Sequence, residues 1–207
     1  MHNHIQKARS LERKININSA ANPTDNLSRI PAAGAIRVAE MFSGPGGIGI
    51  ALNRTRSDKH HFEHVWATDY DADTMRTYKA NVLKGTDVPF FLSDVRDLDI
   101  DSLPAAEGFL YGFPCNDFSL VGESKGLDGH FGGLFSYGVR YINRVNPLFF
   151  LAENVSGLSS ANEGKAFETI LASLNNAGNS ATTSPPTSTS LKITEFRRQG
   201  IVIFWLV

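Results

Sequence analysis

The sequence predicts an α/β protein with a doubly wound, mostly parallel sheet and helices on both faces. Short apolar runs alternate with amphipathic helix patterns across residues 36–178, as in a series of strand–helix–strand units. A glycine-rich turn, residues 43–49, directly follows the first apolar run. Polar residues also follow the later runs, and the carboxyl ends of the strands are where open α/β sheets bind ligands.

Composition places the chain among globular proteins. It has 207 residues, a hydrophobic fraction of 42%, a charged fraction of 20% and a formal net charge of −1, so nucleic-acid contacts would need a local basic patch. The single cysteine, Cys115, excludes an intramolecular disulfide and favours a reducing compartment. The first residues are polar, and no apolar run approaches the ~18 residues of a membrane helix. We therefore expect a cytoplasmic protein without a membrane partner.

The first strand leads into the glycine-rich turn. Residues 1–35 are rich in Asn, Ser, Arg and His without apolar periodicity, and they are predicted to be a flexible leader. A strand over residues 36–42 follows, and the turn then opens a helix, which offers bare backbone and unpaired helix N–H groups to a ligand. No Gly-Lys-Ser/Thr follows, so this is not the phosphate loop of nucleotide hydrolases. Plain tight turns are also glycine-rich, and the motif alone does not identify a ligand.

Aspartates follow the second and third strands. The second strand, residues 62–68, ends at Asp69, and a helix is predicted over residues 72–82. A carboxylate in this place commonly accepts hydrogen bonds from both hydroxyls of a ribose. The third strand, residues 88–92, leads to Asp94, which from the residues alone is equally well explained as a turn aspartate.

The fourth strand is predicted over residues 108–113. Pro114 and Cys115 follow it, on a loop at its carboxyl end. A polar segment with five glycines follows over residues 121–133, as expected of a loop that closes over a substrate. A lone cysteine is more often a small buried hydrophobe than a nucleophile. The role of Cys115 therefore depends on its neighbours.

The fifth strand, residues 147–152, ends in a Glu-Asn-Val tripeptide that begins at Glu153. Helix patterns lie on either side of it, over residues 134–144 and 164–177. Because the fourth and fifth strands should be neighbours, we expect the tripeptide to lie beside the Cys115 loop.

In this order the motifs resemble those of the DNA (cytosine-5) methyltransferase family. Phe42 and the Gly-x-Gly-Gly turn are similar to its first motif, where S-adenosylmethionine is held. Pro114 and Cys115, followed by Asn116 and a Phe-Ser pair, resemble its catalytic loop, which has Gln or, less commonly, Asn after the cysteine. The tripeptide at Glu153 is similar to its second catalytic signature.

The resemblance implies a Rossmann-like fold of the S-adenosylmethionine-dependent methyltransferase type. It also implies S-adenosylmethionine as methyl donor, double-stranded DNA as partner and no metal. Asp69 would receive the ribose hydroxyls and Asp94 the adenine amino group. The residues expected to bind the cofactor are Phe42, Gly44, Gly46, Gly47, Asp69, Asp94 and Pro114.

Cys115 and Glu153 are the catalytic residues that the resemblance implies. The Cys115 thiolate would add to C6 of cytosine and make C5 nucleophilic toward the methyl group. Glu153 would bind N3 and the exocyclic amine and stabilise the charge that develops on the ring. The target base must be swung out of the duplex to reach both residues.

The resemblance ends near residue 178. Residues 179–190 are almost entirely Ser, Thr, Pro and Ala, and no Gln-x-Arg-x-Arg motif or DNA-reading domain follows. We expect the N-terminal portion of a catalytic domain over residues 36–178 and an aberrant, disordered tail over residues 179–207. A shift of reading frame near residues 178–182 would explain the change, since the genetic code permits the missing motif in the shifted frame.

Several functions stay open at this point. The first is a DNA (cytosine-5-)-methyltransferase of a restriction-modification system, truncated and weakly active or inactive in this chain. The others are a non-catalytic S-adenosylmethionine-binding remnant and an RNA cytosine-5 methyltransferase, whose cytosine chemistry would be the same. A dehydrogenase with a dinucleotide fold shares the fold class, but the Pro-Cys pair and Glu153 at strand ends argue against it.

Overall fold

The computed structural model describes residues 32–114, 133–155, 165–177, 191–196 and 201–206. No helix within these ranges is long and apolar enough to span a membrane. Seven strands, four α-helices and two 3-10 helices are assigned there: β1 (Gly34–Met41), α1 (Gly47–Arg54), β2 (His60–Asp69), α2 (Ala72–Asn81), β3 (Phe90–Leu92), the 3-10 helices Val95–Asp97 and Ile100–Ser102, β4 (Gly108–Tyr111), α3 (Phe135–Val145), β5 (Phe149–Val155), α4 (Lys165–Asn176), β6 (Leu191–Phe196) and β7 (Ile201–Leu206).

The seven described strands form one sheet in the order β3-β2-β1-β4-β5-β7-β6. Strands β1 to β5 are parallel, whereas β7 is antiparallel to both β5 and β6. The chain moves outward from β1 to β3 on one side and from β4 to β5 on the other, so the strand order reverses between β1 and β4. Ligands bind at such a reversal in open α/β sheets. The doubly wound, mostly parallel fold predicted from the sequence is confirmed.

Helices cover both faces of the sheet. On one face α3 and α4 pack over the larger core, in which Trp66, Phe109 and Tyr141 are fully buried. On the other face α1 and α2 cover a smaller core built around Tyr78 and Val82. Burial of a large apolar side chain contributes roughly 1.5–3 kcal/mol, so both faces help to hold the central strands in place.

Several strand boundaries differ from the predicted ones by one to three residues, and two of these differences have a clear physical reason. Strand β3 begins at Phe90 rather than at residue 88, because Pro89 has no N–H and only accepts a hydrogen bond, from Ala67 N at 3.2 Å. Strand β5 extends to Val155 rather than ending at residue 152, because β7 pairs with its last residues. The Glu-Asn-Val tripeptide is therefore the end of a strand and not the loop after it.

Capping residues explain where two of the helices begin or end. Helix α2 starts at Ala72 as predicted, because the Asp71 carboxylate accepts a hydrogen bond from Thr74 N at 2.7 Å. Helix α3 ends at Val145, after which Asn146 adopts a left-handed conformation with φ 48°. This cap turns the chain directly into β5 beside β4.

The end of the chain contributes two strands where the sequence predicts disorder. Strand β7 lies along β5, and β6 lies along β7 at the edge of the sheet. The β-branched and aromatic residues of Ile201–Leu206 favour a strand, and the second edge of β5 offers unpaired backbone groups. The expectation of a disordered tail does not hold for these two segments.

Candidate active site

The five parallel strands end at one edge of the sheet, and the candidate residues follow those ends. Phe42 and the glycine-rich turn follow β1, whereas Asp69 and Glu153 are the last or nearly the last residues of β2 and β5. Cys115, the predicted nucleophile, lies outside the described residues. Pairing joins the strand ends across the sheet: Met41 to Thr68 and Tyr111, Asp69 to Leu92, and Tyr111 to Ala152.

The glycine-rich turn has an unusual backbone. Phe42, Gly44 and Gly46 all have positive φ angles, 55°, 56° and 102°. Gly46 also lies so close to α2 that a Cβ there would stand 2.6 Å from Val82 Cγ2. A positive φ at a bulky residue such as Phe42 is rare, and such strain concentrates at ligand-binding sites.

The hydroxyl of Ser43 is buried in this turn and has no hydrogen-bond partner among the described residues. The backbone of Ser43 is held by a hydrogen bond from its N–H to Thr68 O at 3.1 Å, so the side chain is not free to swing away with the loop. An unsatisfied buried hydroxyl costs roughly 1–3 kcal/mol. A ligand with a carboxylate or an amine in the turn would satisfy it.

Asp69 joins the second strand to the turn. Its Oδ2 accepts a hydrogen bond from Gly44 N at 2.9 Å, and its Oδ1 accepts one from Asp71 N at 3.1 Å. Each carboxylate oxygen has a second lone pair, so the group can still accept from a diol. The next residue, Tyr70, is 76% exposed and offers a flat aromatic surface beside it.

The Asp94 side chain accepts a hydrogen bond from the backbone two residues later, as expected for the turn aspartate that the sequence leaves open as an alternative. It accepts hydrogen bonds from Arg96 N at 2.9 Å and from Arg96 Nη2 at 2.6 Å, and it caps the first 3-10 helix. The hydrogen bond from the Arg96 side chain lowers the pKa of Asp94 to about 2. Asp94 is therefore ionised at neutral pH and retains lone pairs for a ligand.

Glu153 lies beside the end of β4. A Cβ at Gly112 would stand 2.9 Å from Glu153 Oε2, so glycine at this position leaves room for the carboxyl group. Glu153 is half-buried, and burial raises its pKa above the usual value. A carboxyl group of raised pKa retains its proton at higher pH and can donate it as a hydrogen bond.

Asn154 connects the two strand ends directly. Its side chain is 2% exposed, and Nδ2 donates a hydrogen bond to the carbonyl oxygen of Phe113 at 2.6 Å. Phe113 immediately precedes Pro114, which is described at the end of the β4 turn. The Glu-Asn-Val strand end and the segment before Pro114, which were predicted to be neighbours, are therefore joined by a hydrogen bond.

Three residues at this edge carry no separate functional signal in the sequence: Ser43, Tyr70 and Asn154. Ser43 and Tyr70 each lie next to a residue that the sequence predicts to bind the cofactor. This position beside a motif is the sequence signal by which they could have been found. Asn154 belongs to a predicted tripeptide, but its partner Phe113 is 41 residues away. Only the pairing of β4 with β5 brings these two residues together.

The arrangement suits a nucleoside that carries a polar tail. The turn offers backbone N–H groups and the Ser43 hydroxyl to the tail, Asp69 offers acceptors to a diol, and Tyr70 offers a ring surface to a base. Glu153 lies on the far side of the strand reversal, beside Gly112. In the described part of the chain, no group of three or more His, Cys, Asp or Glu residues is placed to hold a metal ion.

Comparison with known proteins identifies a matching family model and several similar proteins. A family model described as C-5 cytosine-specific DNA methylase matches residues 36–184. The chain is 45% identical over 152 residues to Type II methyltransferase M.BbvI from Brevibacillus brevis. This aligned region covers 69% of this chain and 41% of that protein. It is 32% identical over 144 residues to Type II methyltransferase M.Bsp6I from a Bacillus species, with 69% and 43% covered. The chain thus spans less than half the length of these curated relatives.

Solved structures share the fold. The S. pombe Dnmt2 methyltransferase superposes with a TM-score of 0.53 at 18% identity, over 83% of this chain and 50% of that chain. Fibrillarin from Aeropyrum pernix, solved with bound S-adenosyl-L-methionine, superposes with a TM-score of 0.51 at 10% identity, over 86% and 69%. At these identities the likeness shows a Rossmann-like fold shared with S-adenosylmethionine-dependent methyltransferases.

Proposed function

The chain belongs to the C-5 cytosine-specific DNA methylase family, and on this premise we propose that the protein transfers a methyl group from S-adenosylmethionine to C5 of cytosine in DNA. The observation that carries the proposal is the hydrogen bond from Asn154 to Phe113, which joins the Glu-Asn-Val strand end to the residue before Pro114. Two motifs that are distant in sequence are thereby adjacent at the edge where the glycine-rich turn also lies.

S-adenosylmethionine would supply the methyl group, and the residues of the turn fit its methionine part. The strained backbone of Phe42 and the buried Ser43 hydroxyl support a ligand in the turn formed with Gly44, Gly46 and Gly47. For the adenosine part, Asp69 would accept from the ribose hydroxyls and Tyr70 would cover a face of the adenine. Asp94 and Pro114 are the further residues assigned to this pocket.

Cys115 would start the chemistry by adding its thiolate to C6 of a cytosine that has left the duplex stack. The S–C6 bond would form and C5 would take the methyl group from the sulfonium, releasing S-adenosylhomocysteine; a base would then remove the C5 proton, and the S–C6 bond would break to release the thiolate. Glu153 would bind N3 and the exocyclic amine while charge develops on the ring. Its raised pKa supports this role, because a protonated carboxyl can donate to N3.

Double-stranded DNA is the proposed partner, and a restriction-modification system is the proposed context, since the relatives are named type II methyltransferases. Sequence-specific base contacts come from groups that reach the base edges in a groove. The chain spans 41% of the length of M.BbvI. We expect this chain to be weakly active, so that it can be trapped on its substrate even where turnover is slow; an inactive chain is the alternative that the following experiment distinguishes.

Two measurements test the proposal. Calorimetry with S-adenosylmethionine is expected to give saturable binding that Asp69→Ala abolishes, because that variant loses both the proposed ribose acceptor and the hydrogen bond to Gly44 N. In the presence of S-adenosylmethionine, a DNA duplex containing 5-fluorocytosine is then expected to form a covalent adduct with the wild type and none with Cys115→Ala, because after methyl transfer the fluorine at C5 cannot leave as a proton would.

The outcomes separate the alternatives. Binding without an adduct would identify a non-catalytic remnant that keeps its cofactor pocket. An adduct with a fluorocytosine RNA but not with DNA would identify an RNA methyltransferase. Absence of cofactor binding by a folded wild-type chain would overturn the proposal.

A further inference from the structure

A buried polar cluster lies beneath the glycine-rich turn, on the face of the sheet that α1 and α2 cover. Glu40 of β1 is 1% exposed, and His64 of β2 and Tyr78 of α2 lie beside it. Tyr78 Oη donates to Glu40 Oε1 at 2.7 Å, and His64 Nδ1 lies 3.4 Å from each of these oxygens. The chemistry proposed above uses none of the three residues.

Two glycines at the start of α1 rest directly on this cluster. A Cβ at Gly49 would stand 2.7 Å from Glu40 Oε1 and 3.1 Å from Tyr78 Oη. A Cβ at Gly46, which belongs to the turn, would stand 3.1 Å from Tyr78 Cδ2. Since not even a Cβ would fit between these glycines and the two side chains, we expect a displacement of Glu40 or Tyr78 to displace the turn as well.

A charge in this cluster needs a partner inside the protein. Burial raises the pKa of Glu40 to about 7, and the hydrogen bond from Tyr78 acts in the opposite direction. Burial lowers the pKa of His64 below its usual value, so His64 is neutral at neutral pH. Helix α1 faces the cluster through Gly49. The Tyr78 hydroxyl is therefore the group that stabilises Glu40 when it ionises.

We propose that Glu40, His64 and Tyr78 form a buried latch that holds the glycine-rich turn in its cofactor-binding conformation, with Glu40 and Tyr78 as positioning residues. The inference rests on the proposed function, because it takes the turn as the S-adenosylmethionine site. When Glu40 ionises, the Tyr78 hydroxyl solvates it in place of water. Without this hydroxyl, water must enter beneath the turn, and the turn moves out of the binding conformation.

Tyr78→Phe tests the latch, because it keeps the ring under Gly46 and removes only the hydroxyl. Affinity for S-adenosylhomocysteine is measured by calorimetry, with thermal unfolding at each pH. Between about pH 6 and about pH 8.5 the affinity of the wild type is expected to change less than about twofold. Over the same range the affinity of Tyr78→Phe is expected to fall at least about fivefold. Because the binding is linked to one proton, this fall cannot exceed about tenfold per pH unit. Adding Glu40→Gln removes the charge and is expected to abolish this pH dependence.

Tyr141→Phe is the matched control, because Tyr141 Oη donates to Pro104 O at 2.8 Å in the core on the opposite face of the sheet. It is expected to lower Tm without making the affinity pH dependent. An equal loss of affinity at every pH in Tyr78→Phe, or a pH dependence that persists with Glu40→Gln, would refute the latch.

Failure of the proposed function gives a different result. If no protein binds S-adenosylhomocysteine, the wild type included, the proposed cofactor site is wrong. Unfolding then decides whether the latch exists. The loss of Tm in Tyr78→Phe must grow as the pH rises, and this growth must disappear when Glu40→Gln is added; a loss of Tm that is constant with pH overturns the latch.

Discussion

At the scale of single residues, the proposed chemistry depends most on the hydrogen bond from Asn154 to the Phe113 carbonyl. Pro114 has no N–H, so the peptide group that joins it to Phe113 cannot be held by a donor of its own. Asn154 supplies the donor from the neighbouring strand, at 2.6 Å and out of contact with water. One amide group thus controls how the chain leaves β4 toward Cys115.

Asn154→Asp is expected to impair this arrangement while keeping the shape of the side chain. An ionised carboxylate would face the Phe113 carbonyl without a hydrogen to donate, and protonating it at neutral pH to restore a donor also costs free energy, so the free energy of unfolding should fall by about 1–3 kcal/mol. Misplacement of the nucleophile should also slow adduct formation with the fluorocytosine duplex by about 100-fold. Denaturant unfolding and the time course of the adduct measure the two effects.

Asn53→Asp is the matched control for this variant. Asn53 Nδ2 donates to Val82 O at 2.8 Å, so the control loses the same type of hydrogen bond on the face that α1 and α2 cover. It is expected to lower stability and leave the adduct rate nearly unchanged. Equal slowing in both variants would contradict a positioning role for Asn154.

At the scale of secondary-structure elements, α3 supports β4 through a close contact. Gly138 lies in the middle of α3, and a Cβ there would stand 2.4 Å from Tyr111 Cε2. Tyr111 is fully buried at the end of β4, with its ring stacked on Phe109 at a centroid distance of 5.1 Å. Because Gly138 has no side chain, the helix can pack this closely against the strand that leads to Cys115.

Gly138→Ala is expected to destabilise the protein although alanine is the better helix former. Overpacking against Tyr111 costs about 1–3 kcal/mol, whereas the gain in helix propensity is about 1 kcal/mol. Gly47→Ala in α1 is the control, since a Cβ there meets nothing within 4 Å and should not destabilise the helix. The contact is refuted if thermal unfolding shows the two variants to be equally stable.

At the scale of the whole molecule, the two faces of the sheet differ in polarity. The face under α3 and α4 holds a continuous aromatic and aliphatic core. The face under α1 and α2 is smaller and contains the Glu40 carboxyl group, 1% exposed. Because burial raises the pKa of Glu40 to about 7, ionisation of this side chain links the global stability to pH near neutrality.

The sign of this linkage is predictable. Between the ordinary Glu pKa of 4.5 and the folded value of about 7, the native state retains a proton that the unfolded chain has lost. The free energy of unfolding of the wild type, minus that of Glu40→Gln, should therefore fall as the pH rises through this window, by up to about 3 kcal/mol. Urea unfolding at several pH values measures this difference.

Glu107→Gln is the control of opposite sign. The hydrogen bond from Arg37 lowers the pKa of Glu107, so its contribution is present above the unfolded pKa and is lost as the pH falls. The wild-type minus Glu107→Gln difference should rise with pH as the pH approaches the ordinary Glu pKa of 4.5 from below, and should be constant above it. A Glu40 difference that is flat or rises in the same way would show that Glu40 is ionised throughout.

Local sequence patterns were enough to predict the fold class and the positions of the motifs along it. Alternating strand and helix patterns are local properties, and they predict the parallel sheet over residues 36–178 and place most element boundaries within about two residues of those observed. Since every parallel strand ends at the same edge, motifs that follow strand patterns converge there without further information. Phe42, Asp69, Asp94 and Glu153 could be assigned to that edge in this way.

The tertiary structure alone decided which distant groups meet. Gly44 and Asp69 are 25 residues apart, Glu40 and Tyr78 are 38 apart, and Phe113 and Asn154 are 41 apart. Such contacts depend on strand order and register, which a one-dimensional pattern does not encode. The same holds for β7, whose residues favour a strand but whose place is set by the second edge of β5. The burial of Glu40 likewise arises only when α1 and α2 close over β1, because nothing local to an acidic residue in an apolar strand specifies what will cover it.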